Sequence, residues 1–267
     1  MVPLMAECRT PMTALQHRFI LGTRVDGTSY SDATARILEW AQAGESRYVC
    51  ICGVHGVMEG HDVEDFQKIS NAADLVTPDG MPLVWVLRRL GLKDQSRVYG
   101  PDLTLNVLQG AEQAGIAVGL YGGTVEVLDA LQRIYRARFP RLQIAYTYSP
   151  PFRPLTQEED DEIVQTINAS GARILLVGLG CPKQERWVSA HRNRVKAVML
   201  AVGAAFDFHA GRVRQAPRWM QRAGLEWLFR LLMDPRRLWR RYFRNNPRFL
   251  WLIAWQLLAG TDSRGVN

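Results

Sequence analysis

Short aliphatic runs, each closed by glycine or proline, recur along most of the chain. Tyr48 to Cys52 ends at Gly53, and Asp74 to Thr77 ends at Pro78-Asp79-Gly80. Ile116 to Tyr121 runs into Gly122-Gly123-Thr124, and Leu142 to Tyr148 is closed by Pro150-Pro151. Arg173 to Val177 runs into Gly178, and Ala197 to Val202 into Gly203. Runs bounded in this way predict buried strands. Between them lie stretches with helical spacing: Ser31 to Ala43, Val57 to Ala73, Met81 to Leu90, Leu103 to Ala114 and Thr124 to Arg138. Thr156 followed by Glu159 predicts a capping box opening one more helix. Ahead of these, Phe19-Ile20-Leu21 and Thr23-Arg24-Val25, punctuated by Gly22 and Gly27, predict a short hairpin. The alternation predicts an α/β fold: a Rossmann-like, doubly wound, mostly parallel sheet with helices on both faces.

In such sheets ligands bind outside the carboxyl ends of the strands. The residues expected there are Gly53, Asp79, Gly122, Gly123, Gly178 with Gln184, and Asp207. The fullest of these turns is Val177-Gly178-Leu179-Gly180-Cys181-Pro182-Lys183-Gln184-Glu185-Arg186-Trp187. It reads as strand, glycine turn, and helix with Pro182 at its first position. Free N–H groups at such a start suit an anion. Lys183 adds a positive charge, and the Gln184 amide can read a sugar or a base.

The pattern changes after Gln215-Ala216-Pro217, dividing the chain into a catalytic α/β domain over 1–216 and a helical appendage over 217–267. Trp219 to Met233 is helical, and Asp234-Pro235 and Asn246-Pro247 each look like an N-cap with proline at the first helical position. Three helices broken by two proline turns are therefore expected. Phe249 to Ala259 is apolar except for Gln256 and too short to span a bilayer, which needs about 20 residues. The formal net charge of the 267 residues is +7. All of it falls between Pro217 and Gly260, where nine arginines and no lysine are opposed only by Glu226 and Asp234. Arg230, Arg237, Arg240, Arg244 and Arg248 would form one basic stripe if the helical phase survives the breaks. Arginine binds phosphate with two parallel hydrogen bonds. With the tail tryptophans, the stripe suits an amphipathic helix lying on an anionic membrane surface. Self-association would use the same apolar surface.

Four cysteines without a Cys-x-x-Cys pair, and no basic-then-apolar segment in Met1 to Leu15, fit the reducing cytoplasm and no signal peptide. Pro78-Asp79-Gly80 reads as a simple turn by spacing alone, and otherwise as a carboxylate placed at a strand end. An inverting sugar transfer needs one such group to take the acceptor hydroxyl's proton. Asp207 and His209 could form a metal pair, although Asp207 suits a ribose contact or a turn cap better; no Asp-x-Asp pair or zinc-ligand spacing occurs. A nicotinamide enzyme would require Gly-x-Gly-x-x-Gly after the first strand, which is absent. A nucleic-acid binder using the basic tail is the other alternative, disfavoured by the clustered tryptophans.

Taken together, several stretches resemble the bacterial WecG/TagA/CpsF glycosyltransferases, glycosyltransferase family 26, over roughly residues 18 to 250. They are Ala73 to Pro82, Arg97 to Asp102, Leu120 to Gly123, Val177 to Trp187, Val202 to Asp207, and the tail from Trp227 to Arg241. The resemblance implies transfer of a hexosyl unit, N-acetylmannosamine in well-known members, from a UDP-sugar to a polyprenyl-diphosphate-linked sugar. It implies inversion, no metal or other cofactor, and work on the inner face of the cell membrane. It makes Asp79 the base, places Arg97 and Gln184 by the donor, and gives Asp207 a nucleotide contact. Arg230, Arg237 and Arg240 would meet the lipid diphosphate or the leaving UDP. Many members carry an Asn after the second strand where this chain reads Cys52-Gly53-Val54-His55, so other donor hexoses are also expected candidates.

Overall fold

The structure is a computed structural model that describes residues 14–259. The N-terminal stretch read as lacking a signal peptide therefore lies largely outside the described residues, as does the end of the appendage. A hairpin, β1 (His17–Ile20) and β2 (Thr23–Asp26), precedes the sheet. The sheet comprises β3 (Arg47–Cys52), β4 (Leu75–Pro78), β5 (Val118–Gly122), β6 (Ile144–Tyr148), β7 (Ile174–Gly178) and β8 (Val198–Ala201). All six strands are parallel, in the order β4-β3-β8-β7-β5-β6. Helices α1 (Tyr30–Ala43), α2 (Val54–Asp62), α3 (Glu64–Asn71), α4 (Met81–Arg89), α5 (Gly100–Ala114), α6 (Val125–Arg138), α7 (Gln157–Ala169), α8 (Lys183–Ala190) and α9 (Ala205–His209) surround it. The expected α/β class and layering are present.

The register explains why the strands carry few polar residues. Leu75, Val49, Leu200, Leu176 and Leu120 lie side by side across five strands. They pack on one face with Ile37 of α1, Val107 of α5 and Leu131 of α6. One residue along, Val76, Cys50, Ala201, Val177 and Tyr121 form the opposite row, packed with Val57, Val188 and Ile167. Parallel strands covered on both faces have no solvent side to mark with alternation. The hairpin is tied to this sheet by Asp26, whose buried carboxylate accepts from Val76 N at 2.7 Å and pairs with Arg24.

Two helical expectations are corrected. The stretch from Val57 to Ala73 is two helices, not one, because Val63 turns to an extended conformation between α2 and α3. The tail has three helices, and only the break at Asp234-Pro235 lies where expected. They are α10 (Arg218–Arg222), α11 (Glu226–Met233) and α12 (Pro235–Ala259). The first break falls at Gly224, whose φ of +71° suits glycine and whose added Cβ would lie 2.7 Å from the Trp85 ring. Asn246-Pro247 makes no break: Pro247 lies inside α12. A proline removes one hydrogen bond and crowds the preceding turn, but docking on both sides of it holds the helix. Arg244 and Arg248 pair with Asp62 of α2, and Phe249 and Ile253 are buried in the core beside α2. Pro182, expected as the first helical residue, is instead the N-cap of α8.

Gln256, the odd polar residue of the apolar run, bonds the hairpin backbone. It accepts from Leu21 N at 3.0 Å and donates to the Phe19 carbonyl at 2.8 Å. The far end of α12 is thus fixed to the domain by packing and by specific hydrogen bonds. Ile253→Val is expected to lower unfolding free energy by about 1 kcal/mol, the usual cost of deleting one buried methyl group. Urea unfolding measures it; a change near zero would show that Ile253 is not packed in solution.

Candidate active site

Parallel strands bring every strand-end loop to one edge, where a cavity of about 890 Å³ opens. Its floor comprises the ends of β3, β4, β5, β7 and β8, at Gly53, Asp79, Gly123, Gly178 and Val202. Its roof is the tail: Glu226, Trp227, Arg230, Arg237, Arg241, Tyr242 and Asn245 line it from α11 and α12. Asp79, Arg97, Gly123, Gly178, Gln184, Asp207, Arg230 and Arg237, all expected at the site, line this one space. Gly122, Pro182, Lys183 and Arg240 do not; Lys183 and Arg240 are exposed.

Asp79 lies just past β4, where its N–H donates to the Cys52 carbonyl at 2.8 Å. Arg97 follows a loop that returns to the same strand through Val98 N to Pro78 O at 2.9 Å. The Arg97 Nε donates to the Asp79 carbonyl, and its Nη2 lies 3.3 Å from Asp79 Oδ1. The same Nη2 is only 2.7 Å from Glu226 Oε2. The Tyr99 hydroxyl donates to Glu226 Oε1 at 3.3 Å, and the Arg97 guanidinium stacks over the Tyr99 ring at 4.0 Å. Gly100 N also donates to Asp79 Oδ1 at 3.3 Å. Every hydrogen bond to the carboxylate thus falls on Oδ1, and Oδ2 accepts none from the described residues.

Burial pushes the Asp79 carboxyl above the ordinary carboxylate range. Arg97 opposes the shift, and Glu226 adds to it. The side chain remains 28% exposed to the cavity, so water at the mouth tempers the effect. Burial is the dominant cause because it penalises the charged form whatever the partner.

The cationic side is built from the tail. Arg230 and Arg241 each have a buried Nε with no hydrogen-bond partner among the described residues. Arg230 sits 5.4 Å over Phe208, and Arg241 lies 5.0 Å over Tyr242. Arg237 pairs with Asp234, and Arg240 stacks on Trp239 at 5.4 Å. The expected single stripe is therefore divided: Arg230 and Arg237 border the cavity, joined there by Arg241 from outside the stripe, Arg240 is exposed, and Arg244 and Arg248 clasp Asp62.

The glycine turns serve close packing. A Cβ on Gly178 would lie 2.4 Å from the Phe206 ring, and one on Gly122 would lie 2.6 Å from Gly178 O. Gln184 is buried; its oxygen accepts from Gly180 N at 3.1 Å. Its amide donates to Glu185 and to the Ala201 carbonyl. It shapes the β7–α8 turn through these bonds while its side chain also borders the cavity. His55, at the start of α2, faces the tail: its Nδ1 lies 3.3 Å from Asn245 Nδ2, and burial lowers its pKa to about 4. The His209 ring meets the Tyr135 hydroxyl at 2.7 Å rather than Asp207. Among the described residues no three His, Cys, Asp or Glu side chains are grouped to hold a metal ion.

Sequence reasoning missed Glu226, Tyr99 and Arg241. Glu226 was visible only as one of two acids amid nine arginines, a signal that a lone opposing charge has a specific partner.

The profile of the Glycosyl transferase WecG/TagA/CpsF family matches residues 18–263. The chain is 34% identical over 187 residues to an N-acetylglucosaminyldiphosphoundecaprenol N-acetyl-beta-D-mannosaminyltransferase of Bacillus spizizenii (strain ATCC 23059 / NRRL B-14472 / W23), covering 69% of this chain and 70% of that one. A protein of the same description from Staphylococcus aureus (strain MW2) is 30% identical over 190 residues, 71% of this chain and 72% of the other. The parallel sheet, the cavity at its carboxyl edge and these matches agree, and the chain belongs to the WecG/TagA/CpsF family of glycosyltransferases.

Proposed function

We propose that this chain transfers a hexosyl unit from a UDP-sugar to a polyprenyl-diphosphate-linked sugar with inversion, using Asp79 as base and no metal ion. The observation that carries the reading is the Asp79 carboxylate: it stands at the cavity floor, held on one oxygen and free on the other. An acceptor hydroxyl at Oδ2 would lose its proton as it attacks the anomeric carbon of the donor. The C–O bond to UDP breaks on the opposite face, and UDP leaves as an anion. The uncapped starts of α2 and α4 and the Arg230 and Arg241 guanidiniums border the same space and would stabilise that charge. N-acetylmannosamine is the first donor to try, given the relatives' description.

The lipid-linked acceptor would arrive from a membrane lying against the tail. No helix among the described residues is long and apolar enough to cross a membrane. The tail does expose Trp219, Leu232, Trp239, Phe243, Leu250, Trp251, Trp255 and Leu258. Such a face beside arginines suits the interface of an anionic bilayer, on the inner leaflet.

UDP release from a panel of UDP-sugars, with a prenyl-diphosphate-linked N-acetylglucosamine acceptor and with EDTA, tests the reaction. Acceptor-dependent release from one donor that survives EDTA is expected; no release from any donor in a folded protein would refute the reading. The pH profile adds a second check. A base works only when deprotonated, so kcat/KM should fall as pH drops through the Asp79 pKa. Because that pKa is raised, the acid limb should lie above that of an ordinary aspartate.

A further inference from the structure

The carboxylate beside Asp79 comes from the tail, and the distances show which carboxylate Arg97 serves. Arg97 Nη2 is 2.7 Å from Glu226 but 3.3 Å from Asp79. Glu226 also receives the Tyr99 hydroxyl through its second oxygen, so both of its oxygens are used in holding the loop that carries Arg97 and Tyr99. Both partners are themselves fixed: Arg97 by its Nε on the Asp79 carbonyl, and Tyr99 by its N–H donating to the Tyr30 hydroxyl at 2.9 Å. A guanidinium placed squarely on Asp79 would cover the carboxylate and weaken it as a base. Drawn toward Glu226, it touches one oxygen of Asp79 at long range.

We propose that Glu226 is a positioning residue of the transfer site: it holds the Arg97 guanidinium off Asp79, so that the carboxylate stays free to accept the acceptor's proton. This rests on Asp79 being the base. It gives α11 a part in the acid–base chemistry distinct from charge supplied by the tail arginines. The groups facing Asp79 are few. Arg97 and Tyr99 come from the loop before α5, Tyr30 from α1, Cys52 from β3 and Glu226 from α11. Arg230 acts on Tyr99 from the next turn of α11. Of these, Glu226 alone can draw Arg97 away, since Tyr30, Tyr99 and Cys52 are held in their neutral forms by burial.

The test uses the full chain with UDP-N-acetylmannosamine and a prenyl-diphosphate-linked N-acetylglucosamine acceptor in detergent. In Glu226→Gln, Arg97 should settle on Asp79. The acid limb of kcat/KM should move down by about two pH units, because the lost Glu226 charge and the nearer Arg97 each lower the Asp79 carboxyl by about one. A drop of only about one unit would leave Arg97 where it is and overturn the positioning role. The plateau kcat should fall about tenfold as the base weakens, with the donor KM little changed. Glu226→Asp should recover most of the plateau and of the limb position. A carboxyl-carbon NMR titration, with the Asp79 signal assigned by its loss in Asp79→Asn, should show the same downward shift in Glu226→Gln without reference to turnover. A folded Glu226→Gln with the wild-type limb, plateau and Asp79 titration overturns the role of Glu226, while an inactive Asp79→Asn leaves the base in place. Should Glu226→Gln melt early, its limb and Asp79 titration are read well below its melting temperature, where wild-type values again overturn the role. An active Asp79→Asn overturns the base itself, and the proposal with it.

Discussion

Asp79→Asn is expected to lower turnover by about a thousandfold or more, near the upper part of the range for losing a general base. The amide has the same shape and retains an oxygen where Oδ1 accepts from Gly100 N and Arg97. It has no basic lone pair to take the acceptor's proton. The loss should therefore appear in kcat, with UDP affinity unchanged within about threefold, because an interaction needed only in the transition state leaves ground-state binding intact. Stability should not fall. A carboxylate raised by burial is disfavoured as an anion in the folded state, and a neutral amide removes that penalty. Single-turnover UDP release, calorimetric UDP binding and thermal melting together check the prediction. Wild-type turnover in the variant would remove Asp79 from the reaction.

How much of this site was legible in the sequence depended on whether a residue's partner lay nearby in the chain. Asp79 and Gly178 announce themselves because each ends an aliphatic run, and a strand end in a parallel sheet is a fixed address. The sheet strands were legible for the same reason: the Leu75-Val49-Leu200-Leu176-Leu120 row on one face and the Val76-Cys50-Ala201-Val177-Tyr121 row on the other leave no charged residue along them. Glu226 could not be placed in this way, since its partners Arg97 and Tyr99 are more than a hundred residues away. Pro247 shows the opposite failure. Local chemistry there favours a break, and the helix runs through because tertiary contacts hold both flanks. Phe249 and Ile253 are buried, and Arg244 and Arg248 reach Asp62. The arginine stripe was legible as composition but not as function. Helical spacing gave one line, and the docking of α12 on α2 assigned some arginines to the cavity and others to Asp62.

The glycine turns teach a related point about inference from motifs. Gly178 and Gly122 suit an anion-binding turn, yet the contacts that demand glycine are the Phe206 ring and a neighbouring strand's backbone. Gln184 likewise spends its polar atoms on Gly180, Glu185 and Ala201. These residues set the shape of that side of the cavity. Among the described residues, groups with capacity left for a ligand include Asp79 Oδ2 and the Nε atoms of Arg230 and Arg241. That difference ranks the arginines: a phosphate-bearing ligand should depend more on Arg230 and Arg241 than on the exposed Arg240.

Removing Arg97 should damage both folding and catalysis. Its side chain is only 14% exposed, and the guanidinium bridges Asp79 and Glu226, joining the end of β4 to α11. Arg97→Met leaves two carboxylates facing one another without a cation, and breaking a buried pair from one side costs about 3–5 kcal/mol. Water reaching the cavity should keep the loss toward the lower end. Turnover should fall by about a hundredfold or more, because Asp79 loses the neighbour that keeps it ionised and fixed. The dependence on pH has a definite sign. Without Arg97 the Asp79 carboxyl, already raised by burial, rises further above its unfolded value. The folded state then binds the extra proton more tightly than the unfolded one, so the stability deficit is small in acid and grows as pH rises through the carboxylate range. Arg97→Lys should rescue little. One ammonium cannot reach the Asp79 carbonyl, Asp79 Oδ1 and Glu226 together, nor present a flat face to Tyr99. Urea unfolding of both variants at acid and neutral pH, with turnover measured alongside, decides it. A lysine variant with wild-type stability and rate would mean that charge alone suffices there, and that the fork geometry of Arg97 has no part in the site.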